Sequence, residues 1–247
     1  MRAAVLFLMI VFAAPGAAFA QDMVMRTELA ADRVDITTGF NGTEVVLFGT
    51  MRGGEAGLAV TLKGPERTIV VRRKEKTLGT WMNRTSLEFR RVPSYYDYAL
   101  NLPAGGDTAA LFDENRIGVD NLAFYPEDAD EDAAVIESFS DALIRRMQEK
   151  GFYPLKAKIP QMFGDGFFKV SFHLPPGVPT GLYTIKALAV RDGIVVAKDA
   201  KTLQVGQVGF NARVYLFAGN HSLFYGIASV LIALVSGWAA FTFLRRD

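Results

Sequence analysis

The sequence predicts a mainly β protein: an immunoglobulin-like β-sandwich with an α-helical insertion, carried on one C-terminal transmembrane helix. Three observations predict it. Seven short segments between residues 34 and 101 are rich in β-branched and aromatic residues and are separated by turn dipeptides. A charged segment with helical periodicity interrupts them, and further strand-like stretches follow it. Near the end, residues 223–244 (LFYGIASVLIALVSGWAAFTFL) carry no charged side chain. As a helix these 22 residues would extend about 33 Å, the hydrocarbon thickness of a bilayer.

The first residues have the pattern of a secretory signal, residues 1–20. Met1-Arg2 supplies a charged start, 3–14 an apolar run, Pro15-Gly16 a break, and Ala18-Phe19-Ala20 a small-x-small cleavage pattern. The alternative is an uncleaved second anchor, for which the apolar run is short. A translocated N-terminus and one later span place residues 21 to about 220 outside the cytoplasm. Arg245-Arg246, in a tail of 245–247, then lie inside, as the positive-inside rule expects. The expected location is a bacterial inner membrane, with the N-terminal domain periplasmic.

Residues 21–102 read as the first sandwich strands: VDITTGF (34–40), TEVVLFGTM (43–51), LAVTLKG (58–64), TIVVRRK (68–74), LGTWMN (78–83), SLEFRRV (86–92) and YYDYALN (95–101). Asn41-Gly42, Gly53-Gly54 and Gly64-Pro65 supply the turns. Residues 103–160 form the helical insertion. After Pro126 and a run of acids, Ile136, Phe139, Leu143 and Met147 recur three or four apart. Arg145, Arg146 and Lys150 sit in the last turns and Gly151 is placed to stop the helix, an arrangement that complements the helix dipole. Residues 161–207 close the sandwich. FFKVSFHL (167–174) alternates, and Thr180-Gly181-Leu182-Tyr183 opens a strand to Arg191. Asp192-Gly193 predicts a tight hairpin returning through 194–205. A juxtamembrane segment, 208–222, leads to the span. Tyr215, Phe224 and Tyr225 stand at its outer interface and Trp238 towards its inner end.

The chain has no cysteine, which excludes disulfides, thiolate metal sites and a cysteine nucleophile, and in an exported chain of this size points to bacteria. Arg2 is the only charge in 1–20, so the remainder carries 26 basic and 26 acidic residues. A neutral chain argues against nucleic acid as a partner. His173 and His221 lie far apart, and no metal-ligating pair, Gly-rich phosphate loop or nucleophile elbow is present. No catalytic residue, metal or cofactor is therefore expected.

The charge is unevenly placed. Residues 63–91 hold nine bases and three acids, whereas 107–141 hold eleven acids and only Arg116 as a base. One reading is an anion site built from Arg72, Arg73, Lys74 and Trp81 in RRKEKTLGTWMN (72–83). The other is that the basic strands face the acidic insertion, or are simply solvated. In the span, Ser229, Ala233 and Gly237 fall four apart on one face, where small residues let a second helix approach.

The Gly64-Pro65 turn, RRKEKTLGTWMN (72–83), the Pro179-Thr180-Gly181-Leu182-Tyr183 turn and LFYGI…SGWAAFTF (223–243) resemble a family of alphaproteobacterial transmembrane proteins. The resemblance covers essentially the mature chain, and its motifs carry no assigned chemistry. Members of that family are often encoded beside exporters resembling the sulfite/organosulfonate type, which implies an integral membrane partner of that kind. The leading expectation is thus an accessory or interaction protein of an inner-membrane transporter, with the lipid bilayer as its other partner. An anchored binding module for a small anion is the alternative, and an envelope hydrolase a more remote one.

Overall fold

A computed structural model describes residues 23–77, 80–103, 108–128, 131–208 and 217–244, the side chains of 74–84 and 243–244 excepted. Two sheets face one another, the first antiparallel and the second mixed. The first has the order β1 (Val24–Leu29), β3 (Thr43–Arg52), β10 (Phe167–Leu174), β9 (Gln161–Met162). The second has the order β2 (Arg33–Ile36), β12 (Ile194–Gln207), β11 (Gly181–Arg191), β4 (Gly57–Lys63), β7 (Tyr96–Asn101), with β2 parallel to β12 and the other pairs antiparallel. Alternate residues of both sheets meet between them: Val45 and Leu47 on β3, Phe168, Val170 and Phe172 on β10, Val60 and Leu62 on β4, Tyr183 and Ile185 on β11. Strand periodicity of two makes this one core. Gly49 of β3 sits beneath the ring of the buried Phe168, where a Cβ would lie 2.3 Å from the ring edge.

The strand order parallels immunoglobulin sandwiches, whose two sheets read ABED and CFG. Here β1-β3-β10-β9 and β4-β11-β12 occupy those places in chain order. Tyr183, near the start of β11, donates its hydroxyl to the Pro179 carbonyl at 2.6 Å, the contact of a tyrosine corner. Ile185 stands two residues on, where antibody domains carry their second cysteine.

Residues 66–93 depart from the sequence expectation. The segments read as TIVVRRK, LGTWMN and SLEFRRV are not strands of the sandwich. They form two long strands, β5 (Glu66–Thr77) and β6 (Thr80–Pro93), in a separate sheet with the short β8 (Tyr125–Pro126). Helix α2 (Ala133–Glu149) lies on one face of this sheet. Phe139, Leu143 and Met147, the residues its periodicity singled out, pack with Leu87, Phe89, Val92, Tyr96 and Tyr153 into a second core. β propensity marks a strand but does not say which sheet receives it, and the helix that covers this hairpin comes 40 residues later in the chain.

The ends of α2 are set by local chemistry. Asp132 caps its start, its carboxylate accepting the Ala134 N–H at 3.0 Å, so the acids of 127–132 precede the helix rather than filling its first turn. At the other end Gly151 is left-handed (φ 71°). Its N–H bonds the Gln148 carbonyl and the Phe152 N–H the Met147 carbonyl, both at 2.9 Å, which is a Schellman stop. The Asp192-Gly193 turn forms as its residues require, with φ 52° and 77° between the paired Arg191 and Ile194. A shorter helix, α1 (Ala109–Asn115), lays Leu111 on the outer side of the second sheet against Ala59, Leu188 and Val190. That is why β4 is buried on both faces. The last helix, α3 (Ser222–Leu244), is exposed along almost its whole length.

Candidate functional site

The outer face of the second sheet is only partly covered by α1. Beyond it, Thr61 and Lys63 of β4 and Leu182, Thr184, Lys186 and Leu188 of β11 floor a cleft of about 560 Å³. Its walls are the turn into β5 (Gly64, Pro65, Glu66), the end of β6 (Arg91, Pro93), Tyr125 of β8 and the end of α1 (Glu114, Asn115, Arg116). The cleft therefore lies where the sandwich meets the hairpin-and-helix unit, a common place for ligand sites.

Its polar groups are organised around Glu66 and Arg91. Glu66 accepts Lys63 Nζ at 2.6 Å and Arg91 Nε at 3.3 Å. The hydrogen bond from Lys63, with the nearby positive charges, holds this carboxyl below the usual range. Arg91 has a left-handed backbone, φ 57°, uncommon for a residue with a Cβ. The cause is a bulge: Arg67 pairs with Val92 and Ile69 with Phe89, so Thr68 stands opposite both Arg90 and Arg91. The guanidinium is thereby turned to within 5.8 Å of the Tyr125 ring centre. Behind them Tyr96 fixes the loop after α1, donating to the Arg116 carbonyl at 3.0 Å and accepting the Gly118 N–H at 2.9 Å. Burial pushes its phenol well above the ordinary range. Lys63, Arg91, Arg116 and Lys186 set four cations against two carboxylates, Glu66 and Glu114. Such a surface can hold an organic anion.

A second polar group is buried at the far edge of the same sheet. Asp97 of β7 is 6% exposed and meets Lys158 Nζ at 2.8 Å, with Lys158 36% exposed. The Tyr98 N–H donates to it at 2.9 Å, and the Tyr95 hydroxyl shares its one proton between Asp97 (3.3 Å) and the His173 carbonyl (2.8 Å). Burial raises the Asp97 carboxyl above its ordinary value, and Lys158 only partly offsets this.

The residues singled out in the sequence fall elsewhere. Arg72 and Arg73 are neighbours on β5 and so project to opposite faces. Arg73 turns to α2, donating to Ser138 Oγ at 2.5 Å with its guanidinium 4.7 Å from the Phe139 ring centre. Arg72 is exposed on the other side. The two do not share a cleft, and the side chains of Lys74 and Trp81 lie outside the described residues. The basic strands do meet the acidic insertion, Arg90 pairing with Glu127. Ser229, Ala233 and Gly237 are exposed on α3, as are Phe224, Tyr225 and Trp238. Ser229 bonds back to the Tyr225 carbonyl and Thr242 to that of Trp238, both at 2.8 Å, so their hydroxyls need no water. Tyr215, Arg245, Arg246 and the signal-like residues 1–20 lie outside the described residues. No three His, Asp or Glu side chains converge as metal ligands among the described residues. The cleft itself was not legible in the sequence, because its walls come from separate stretches between residues 61 and 188. Only the excess of bases in 63–91 hinted at it.

Among the described residues, a mainly β domain is followed by one apolar helix that is long enough to cross a bilayer and is not buried against the others, the arrangement of a protein with a C-terminal membrane-spanning helix. Residues 25–246 match the model of one family, Putative transmembrane protein (Alph_Pro_TM), and the chain belongs to it. No curated protein matches the sequence.

Proposed function

We propose that the protein is a membrane-anchored interaction module, an accessory subunit of an integral membrane protein, with its β domain on the periplasmic side of a bacterial inner membrane. The observation that carries this is α3. Its apolar side chains find no cover among the described residues, the hydroxyls of Ser229 and Thr242 are satisfied internally, and the face of Ser229, Ala233 and Gly237 is open. In lipid, such a face is where a second helix packs closely. A Cβ at Gly237 would meet nothing within 4 Å, so Gly237→Leu can be accommodated by the chain itself. The expected result of gentle extraction and affinity capture of tagged full-length protein is a polytopic partner in fixed stoichiometry, reduced at least ten-fold in Gly237→Leu. A protein captured alone from native membranes would sink the reading. An exporter of sulfite/organosulfonate type is the partner that the family resemblance favours.

The cleft supports a second reading, capture of a small organic anion for delivery to that partner. The expected result is an anion-specific rise in Tm of the full chain in detergent, abolished by Lys186→Ala, since binding to the native state stabilises it. A Tm that tracks ionic strength alone, whatever the anion, would remove it.

A further inference from the structure

Unpaired strand edges attract other strands, and most edges of this fold are blunted. In the first sheet β9 has two residues, and in the second β2 has four. The β7 edge is closed by backbone bonds from Leu100 to Lys158 and from Lys158 to Tyr98. The third sheet is different. β5 is 12 residues long and stands at the edge, paired among the described residues to β6 alone. Among the described residues no backbone hydrogen bond reaches it from anywhere else. Between irregularities at Arg67/Ile69 and Arg73/Lys74 its ladder is regular, so residues 69–73 offer a straight template.

The face beside that edge is also open. α2 covers the side of Ile69 and Val71, which leaves Thr68, Val70 and Arg72 exposed on the other, Val70 at 46%. In sequence the strand carries Arg67, Arg72, Arg73, Lys74 and Lys76 against Glu66 and Glu75. Glu66 is already held by Lys63 and Arg91. The edge is thus cationic with an apolar residue at its centre.

We infer that the edge of β5 is a docking site for an extended acidic segment of a partner protein, which adds as a fourth strand beside residues 68–73. Main-chain bonds hold the segment, and side-chain complementarity selects it. On the exposed face the fit calls for an apolar residue beside Val70 and a carboxylate two positions away, beside Arg72. A second copy of β5 is disfavoured, because it would set its own arginines against these. The inference rests on the interaction-module reading and names the surface through which that module grips.

The test uses full-length protein in nanodiscs and three labelled, end-blocked eight-residue peptides: Thr-Val-Thr-Glu repeated twice, which sets Val and Glu alternately along one face, the same with Lys for Glu, and the Val/Glu peptide N-methylated at alternate residues. The Val/Glu peptide is expected to bind at least ten-fold more tightly than either control by anisotropy, and to slow amide exchange at residues 68–73. Arg72→Glu, at an exposed position with folding checked by thermal unfolding, is expected to erase that advantage. Equal binding of the methylated and unmethylated peptides, or unchanged exchange at 68–73, would overturn the proposal, as would self-association broken by Arg72→Glu. Capture from membranes separates the two levels. A polytopic partner held equally by wild type and Arg72→Glu removes the β5 site and leaves the accessory role standing. Peptide binding with nothing captured from membranes keeps the site and removes that role.

Discussion

Phe139→Ala is expected to destabilise the hairpin-and-helix unit by about 3–5 kcal/mol, the usual cost of emptying an aromatic site in a packed core. Phe139 is 2% exposed and sits among Phe89, Leu87, Tyr96, Leu143 and Tyr153. Its ring is also the surface over which the Arg73 guanidinium lies. The two large cores share the half-buried Phe152 at their margin, where it packs against both. The loss should therefore be local. Hydrogen exchange is expected to show α2, β5 and β6 losing protection while β3 and β10 keep theirs. An equal loss across all strands would mean that both cores unfold as one cooperative unit.

Lys158→Met is expected to cost about 2–4 kcal/mol at pH 8, somewhat under the full penalty for orphaning a buried charge because the lysine end is a third exposed. Asp97 would be left with the Tyr98 amide and Tyr95 hydroxyl but no cation. The loss should be smaller at pH 5 than at pH 8, because lower pH favours a proton on the carboxyl. The sign follows from its raised value: the fold binds this proton more tightly than the unfolded chain does. Its contribution is complete below the ordinary aspartate range and fades as pH rises through the higher native value. Removing Lys158 moves that native value further up. Adding Asp97→Asn should restore most of the lost stability and flatten its pH dependence, as denaturant titrations at the two pH values would show. If the double variant were no more stable than Lys158→Met, the lysine would matter through packing on Phe172, whose ring centre lies 5.4 Å from its Nζ.

The parts of this fold legible in the sequence are those whose signal is local. α2 announced itself through Phe139, Leu143 and Met147 and through Gly151, since one face and one stop suffice to define it. The Asp192-Gly193 turn needed only its own two residues. β1 went unread because Val24–Leu29 carries no aromatic residue and its inward positions are Met25 and Thr27, a weak alternation. β5 and β6 were legible as strands but not as a separate sheet, because that depends on α2 arriving across them. Arg72 and Arg73 read as a cluster only because adjacency in sequence looks like adjacency in space. A period of two sends them to opposite sides. The burial of Asp97 and the left-handed turn at Arg91 have no local sign at all, since both are imposed by strands that pair from a distance.

The join between the sandwich and α3 is short. From Gln207, where β12 ends, to Phe217, which is helical, the backbone reaches no more than about 36 Å however it is arranged. A tether of that length confines the domain to a thin shell over the bilayer, where it searches an area rather than a volume. Any protein anchored within reach is met at an effective concentration in the millimolar range. A contact too weak to survive in dilute solution would then be occupied most of the time, and could still be released quickly. An edge strand that grips its partner mainly through main-chain bonds needs no high affinity under those conditions. Lengthening the tether with a flexible insert after Val208 should dilute the contact while leaving every surface of the domain unchanged.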